Sequence, residues 1–223
     1  MRTMNNNKFL TDTRISGLLY LGLAVTGLFV FVFAKNAIYV SGNTLATSSN
    51  LLEKEVLSRI GIAVELIMVA FQALAALWFY KIFRNVNGFS SVMLASFGIV
   101  NAVMILVSSA FWLASLNAAI ARDSVSMIYN LFSVHDSLWL VGNLFFGLWL
   151  LPMGYLMSQV MKSKMLSRLL YVGGAGYIVS VLILILLPAQ AILAGILVIP
   201  ATVAEFWVIG YLLSRSQLNK NTE

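Results

Sequence analysis

Seven side chains in the sequence carry chemistry that an apolar helix does not need: Glu65, Gln72, Asn101, His135, Asp136, Asn143 and Glu205. A carboxyl group within a membrane-spanning helix costs roughly 2.5–3.5 kcal/mol on insertion scales. Glu65 and Glu205 are therefore the first candidates for a ligand or proton site. Ionised, each would hold a cation or a ligand amine; neutral, each would donate a hydrogen bond to a neighbouring helix. The amides of Gln72, Asn101 and Asn143 offer a donor and an acceptor apiece, and serve either as ligand contacts or as glue between helices. His135 is the single histidine and Asp136 follows it directly. At a helix end the two read as a solvated cap, and as chemistry they read as a dyad. Arg59 is expected as an interfacial anchor, within reach of Asp136 or Glu65.

The same inventory excludes much. The chain has no cysteine, which removes disulfides, thiolate metal sites and cysteine nucleophiles. One histidine removes every zinc site built on two or three. No metal and no cofactor is implied. An enzyme would need a nucleophile–base pair or a metal cluster, and Asp136 is the only obvious neighbour of His135, so the chain reads as leaning away from catalysis.

These residues must be positioned by membrane helices. Of 223 residues, 61% are hydrophobic and 10% charged, with mean hydropathy +0.92. A soluble domain is about 45–50% apolar and about 25% charged, so the excess must face lipid. A hydrocarbon core of about 30 Å needs roughly 20 apolar helical residues. Six stretches qualify: 15–34, 60–80, 92–113, 138–159, 169–187 and 191–213. The expected fold is an all-α, polytopic bundle of six transmembrane helices. Pro188, Ala189 and Gln190 mark a hairpin turn between the last two. At about 100° per residue, Gly61, Glu65, Gln72 and Ala76 share one side of the second span. Asp136, Asn143, Gly147 and Gly154 return to within roughly 20° of one line on the fourth. Small and polar residues on one stripe mark the face that packs against other helices. In the sixth span Pro200 removes a backbone donor five residues before Glu205. A kink with a free Ile196 carbonyl either builds a polar site at depth or only shapes the bundle.

Two loops are long enough to carry structure. In 35–59, Asn50 followed by Glu53 predicts the start of a short helix, with Leu51, Leu52 and Val56 on its apolar side. In 117–137, Asp123 predicts the cap of a second, presenting Met127, Ile128, Leu131 and Val134. Both are expected at the membrane interface, as loop packing or as a lid.

Cation placement sets the expected orientation. With the N-terminus inside, ten of the fourteen cations fall inside, on the N-tail (Arg2, Lys8, Arg14), the loops after spans two and four, and the C-tail (Arg215, Lys220). Both termini are thus expected in the cytoplasm. Trp112 and Trp139 are expected at the outer interface and Tyr80, Tyr171 and Tyr211 at the inner one. The +6 charge is this bias, with no basic–aromatic patch for nucleic acid. The first span is too long for a signal-peptide core of about 7–15 residues, so it reads as retained. No linker, composition shift or internal repeat stands out, and 1–223 reads as a single transmembrane domain.

Four segments carry a resemblance. They are Arg14-Ile-Ser-Gly-Leu-Leu-Tyr-Leu, Arg59-Ile-Gly-Ile-Ala, the block from His135 to Tyr177 with its FFGLWLLPMGYL core, and PATVAEFW at Pro200–Trp207. Together they resemble an uncharacterised bacterial integral-membrane family that carries only a domain-of-unknown-function label. The resemblance covers nearly the whole chain. The family's proline in the loop after the fourth helix is replaced here by Met165-Leu166-Ser167-Arg168. The resemblance implies six helices and a bacterial cytoplasmic membrane, and no activity. Function must come from the residues. The leading expectation is binding or transport of a small molecule or lipid through a polar cavity, with the lipid bilayer as the standing partner. The alternative is a structural or regulatory membrane subunit, and the third is an intramembrane enzyme.

Overall fold

A computed structural model describes residues 6–161 and 163–214, with side chains from residue 11 onward. Arg2, Lys162, Arg215, Lys220 and the Lys8 side chain, all used in the charge argument, lie outside the described residues. The described elements are all helical: α1 (Asn6–Leu28), continued by a π-helical segment (Phe29–Lys35) and a last turn, α2 (Asn36–Ile38); α3 (Thr44–Glu53); α4 (Glu55–Phe83); α5 (Gly88–Ile120); α6 (Val125–Met161); α7 (Lys164–Leu186); a 3₁₀ turn (Pro188–Gln190); α8 (Ala191–Leu197); and α9 (Ile199–Ser214). Six helical stretches are long and apolar enough to cross a membrane: 11–38, 55–83, 88–120, 125–161, 164–186 and 188–214. Large aliphatic side chains stand open on them, Leu186 and Ile192 at 72% and 83% exposure. That pattern marks a multi-pass membrane protein, because hydrocarbon, unlike water, accepts such a surface.

The observed helices outrun the expected apolar stretches, since backbone hydrogen bonding carries past the last apolar residue. The consequences are largest in the loops. Asn50 does not begin a helix. Asn43 does, its side chain accepting from the Ala46 N–H at 3.0 Å, while Asn50 donates to the Ile38 carbonyl at 3.1 Å. Asp123 is not a cap either, and its short helix is the opening of α6 itself. Ser124 takes that place, its hydroxyl accepting from the Met127 N–H at 3.4 Å. The end of α5 is closed in a Schellman arrangement. Arg122 adopts φ 58°, and the N–H groups of Arg122 and Asp123 reach back to Ala119 and Ala118.

The turn at Pro188–Gln190 stands where the sequence placed it. Pro200 does not kink a continuous helix. The chain breaks at Val198, and Pro200 sits in the first turn of α9, where a missing N–H leaves no bond unmade.

The residues fall into two compact units, each discontinuous in sequence: 22–71 with 102–142, and 1–21 with 72–101 and 143–223. In the first, a core of Val30, Ile38, Leu51, Trp112, Leu116 and Phe132 is fully excluded from solvent. In the second, helices meet at glycines. A Cβ on Gly147 would lie 2.8 Å from the Gly174 carbonyl oxygen, a Cβ on Gly174 equally close to that of Gly147, and a Cβ on Gly173 2.5 Å from Ala201. The Tyr20, Phe79 and Trp149 rings fill the remaining space, with Phe79 centroids 5.5 Å from both others.

Candidate functional site

Three helix faces in the 22–71/102–142 unit build the site. On α4, Ser58, Gly61 and Glu65 lie at helical spacing. On α5, Ser108 and Trp112 are four apart, and on α6, His135 and Trp139 are four apart, so each pair shares a face. Glu65 and His135 are both wholly buried. One carboxyl oxygen of Glu65, Oε1, gathers three contacts: the Trp139 indole N–H donates at 2.5 Å, the Ser108 hydroxyl at 3.2 Å, and His135 Nε2 lies at 3.1 Å. A Cβ at Gly61 would sit 2.5 Å from the Trp112 ring and 3.0 Å from Ala34. Only glycine there lets the Trp112 indole lie against α4 and donate to Ser58 at 2.8 Å.

The other halves of the two ionisable groups are orphans. Glu65 Oε2 and His135 Nδ1 are buried and have no hydrogen-bond partner among the described residues. Buried polar atoms are nearly always paired, and each one left unmade costs about 1–3 kcal/mol. Rings close over the pair, with Trp112 and Phe132 centroids 5.1 Å and 5.0 Å from the His135 ring. The setting around the pair is therefore apolar.

Charged and aromatic groups stand around this centre. Phe31, in the π-helical segment, meets the Trp139 ring edge-on at 4.5 Å. Four residues on, Lys35 pairs with Asp136. A π-helical turn carries one extra residue and recurs at functional sites. Tyr39 stacks on Phe132 at 5.1 Å and on Tyr129 at 5.9 Å, and the Tyr129 hydroxyl accepts from the Gly42 N–H at 2.9 Å. Burial, then the hydrogen bond with Tyr129, pushes the Tyr39 phenol up to about 12.

Several expectations change. His135 is not a solvated cap: it is buried and faces Glu65, and Asp136 turns to Lys35 instead. Residues 135 and 136 lie about 100° apart on the helix, so neighbours in sequence face different partners. Arg59 reaches neither Asp136 nor Glu65 but bonds Glu55 one turn back at 2.8 Å. Trp112 and Trp139 are no interfacial belt; both are buried, each with its N–H on a polar side chain.

Gln72, Asn101, Asn143 and Glu205 belong to the other unit. Gln72 is buried, its amide donating to the Gly98 carbonyl at 3.4 Å, while its own oxygen has no partner. Asn101 is buried and Asn143 half-buried. Glu205 accepts from the Tyr20 hydroxyl. The structure thus brings together Glu65 and His135 alone of the seven. To that pair it adds Ser108 and Trp139, which the i, i+4 spacings 108/112 and 135/139 would have disclosed; in the other unit it gives Glu205 a partner in Tyr20, for which the sequence carries no signal.

The profile of one family matches residues 15–216, almost the whole chain: Domain of unknown function (DUF4386). The chain belongs to this family. No curated protein and no solved structure matches it. The family's description assigns no chemistry, so the Glu65 centre is read from its own atoms.

Proposed function

We propose that this member of the DUF4386 family binds a small polar or cationic molecule at Glu65 and His135, with the pair exchanging a proton as the ligand enters or leaves. The observation that carries the reading is the pair of orphan atoms, Glu65 Oε2 and His135 Nδ1. A ligand with a donor for the carboxylate and a partner for the imidazole supplies what the helices do not. The lipid bilayer surrounds the protein, and the excess of cations on tails and alternate loops supports cytoplasmic termini in a bacterial cell membrane. A reporter fused after Glu223 that is active only outside the cytoplasm would overturn that orientation.

One observation favours the alternative, a structural or regulatory subunit: Glu65 Oε1 already takes contacts from three helix-borne side chains, as glue would. The single histidine separates the readings. ¹⁵N-histidine labelling of the full chain in nanodiscs gives signals from His135 alone. The binding reading expects both ring nitrogens to respond to bulk pH and to a ligand amine, and the response to vanish in Glu65→Gln. Nitrogen signals that stay fixed as pH and amine are varied would refute it.

A further inference from the structure

At the start of α7, Lys164 and Arg168 stand one turn apart on one side of the helix, both exposed. They line two clefts at once. One, of about 520 Å³, is completed by Ser158, Ser163, Ser167 and Tyr171. The other, of about 460 Å³, is completed by the apolar side chains of Met165, Leu169, Val172 and Pro200. Lys35, Arg59 and Lys81 each pair with a carboxylate. Neither Lys164 nor Arg168 does so among the described residues. The 23-residue α7 also directs its positive end at the first cleft.

Two free cations shared between two largely apolar clefts match an amphiphile that carries negative charge at one end. We propose that this is a binding site for an anionic phospholipid, its phosphate held between Lys164 and Arg168 and an acyl chain laid along Leu169, Val172 and Pro200. Basic pockets between membrane helices take phosphate headgroups, and the Arg fork matches phosphate oxygens in a bidentate manner. A zwitterionic lipid brings a cationic ammonium group to the same place, where two cations repel it. A soluble phosphate would fill the first cleft and leave the second unused.

The test is a native mass-spectrometric titration of the full chain in detergent with phosphatidylglycerol and with phosphatidylcholine of the same acyl chains. Each cation near an anionic lipid surface is worth roughly a fivefold factor. Phosphatidylglycerol should therefore bind at least about tenfold tighter, and K164Q/R168Q should lose roughly twentyfold for it. R84Q, which removes an exposed cation elsewhere, should leave binding unchanged. V172W, which fills the apolar cleft and keeps both cations, should weaken phosphatidylglycerol and spare inorganic phosphate. The substituted side chains are exposed, so thermal unfolding in detergent should match the parent protein. Equal binding of the two lipids, no loss in K164Q/R168Q, or an equal loss in R84Q would overturn the site. Inorganic phosphate displacing the lipid, with V172W without effect, would make it a soluble-anion site and overturn the lipid assignment.

Discussion

Replacing Glu65 by alanine strands three buried groups at once: the Trp139 indole N–H at 2.5 Å, the Ser108 hydroxyl at 3.2 Å and His135 Nε2 at 3.1 Å. A buried polar group left without its partner costs about 1–3 kcal/mol. Ser108 is a long contact and its hydroxyl can rotate, so it belongs at the low end. The Trp139 indole is held by packing against Phe31 and belongs at the high end. With His135 between them, the three predict a loss of about 5–7 kcal/mol for Glu65→Ala, a large part of the 5–15 kcal/mol that domains commonly hold. Glu65→Gln keeps an acceptor oxygen where Oε1 stands, so it strands none of the three donors and should lose no more than the cost of one imperfect buried bond, about 1–3 kcal/mol. The assay is equilibrium unfolding in mixed detergent micelles, followed by tryptophan fluorescence, on both variants. Alanine and glutamine variants of equal stability would refute the reasoning, because the three groups would then not depend on the Glu65 oxygen.

The glycine contacts predict opposite outcomes for one substitution at two positions. Gly173→Ala places a Cβ 2.5 Å from the Ala201 backbone and should destabilise by about 1–3 kcal/mol, whereas Gly195→Ala meets nothing within 4 Å and should be neutral or gain up to about 1 kcal/mol in helix propensity; equal thermal midpoints in detergent would contradict the packing. Asp12 is buried and pairs with Lys81 at 2.6 Å, so Lys81→Met should cost more than the double variant Asp12→Asn/Lys81→Met, and a double-mutant cycle without coupling would show that the pair contributes nothing. Tyr39 gives a pH dependence. Its phenol is held up to about 12 in the folded protein and ionises near 10 when unfolded. Between those values the unfolded chain binds fewer protons, so stability falls as pH rises. Tyr39→Phe should flatten that fall, and unchanged alkaline unfolding curves would rule it out.

The six spans are legible because the requirement they meet is one of length and composition, which a sequence states directly. The stripe of Gly61, Glu65, Gln72 and Ala76 is legible for a similar reason: helical spacing fixes a shared face, and all four are buried. Partners are not legible. Nothing local tells Asp136 to meet Lys35, since that contact joins residues 101 apart in sequence. Asp136 and His135 are adjacent in the chain and face apart on the helix, which is why the dyad dissolves. The capping errors have a different origin. Asn43 and Asn50 both have the side chain for a cap, and the choice is made by Gly42, whose φ of 75° turns the chain just before α3.

Buried polar pairs contribute little net stability, because desolvation offsets most of their attraction. The Glu65–His135 contact contributes less still, with Oε2 and Nδ1 each lacking a partner. The neighbouring groups, by contrast, are well satisfied: Trp112 has Ser58, the Ser115 hydroxyl has the Ile128 carbonyl at 2.7 Å, and Asp136 has Lys35. Polar atoms in this unit are thus paired up to the edge of the centre and unpaired at it. A helix contact that served stability alone would be met by two apolar side chains of similar volume, with no orphan to offset. The surrounding rings deepen the contrast, since excluding water raises the penalty on each unpaired atom. On the proposed binding reading the two halves divide the work: Oε1, fixed by three neighbours, holds the carboxyl group in place, and the unpartnered Oε2 and Nδ1 are the atoms a ligand would meet.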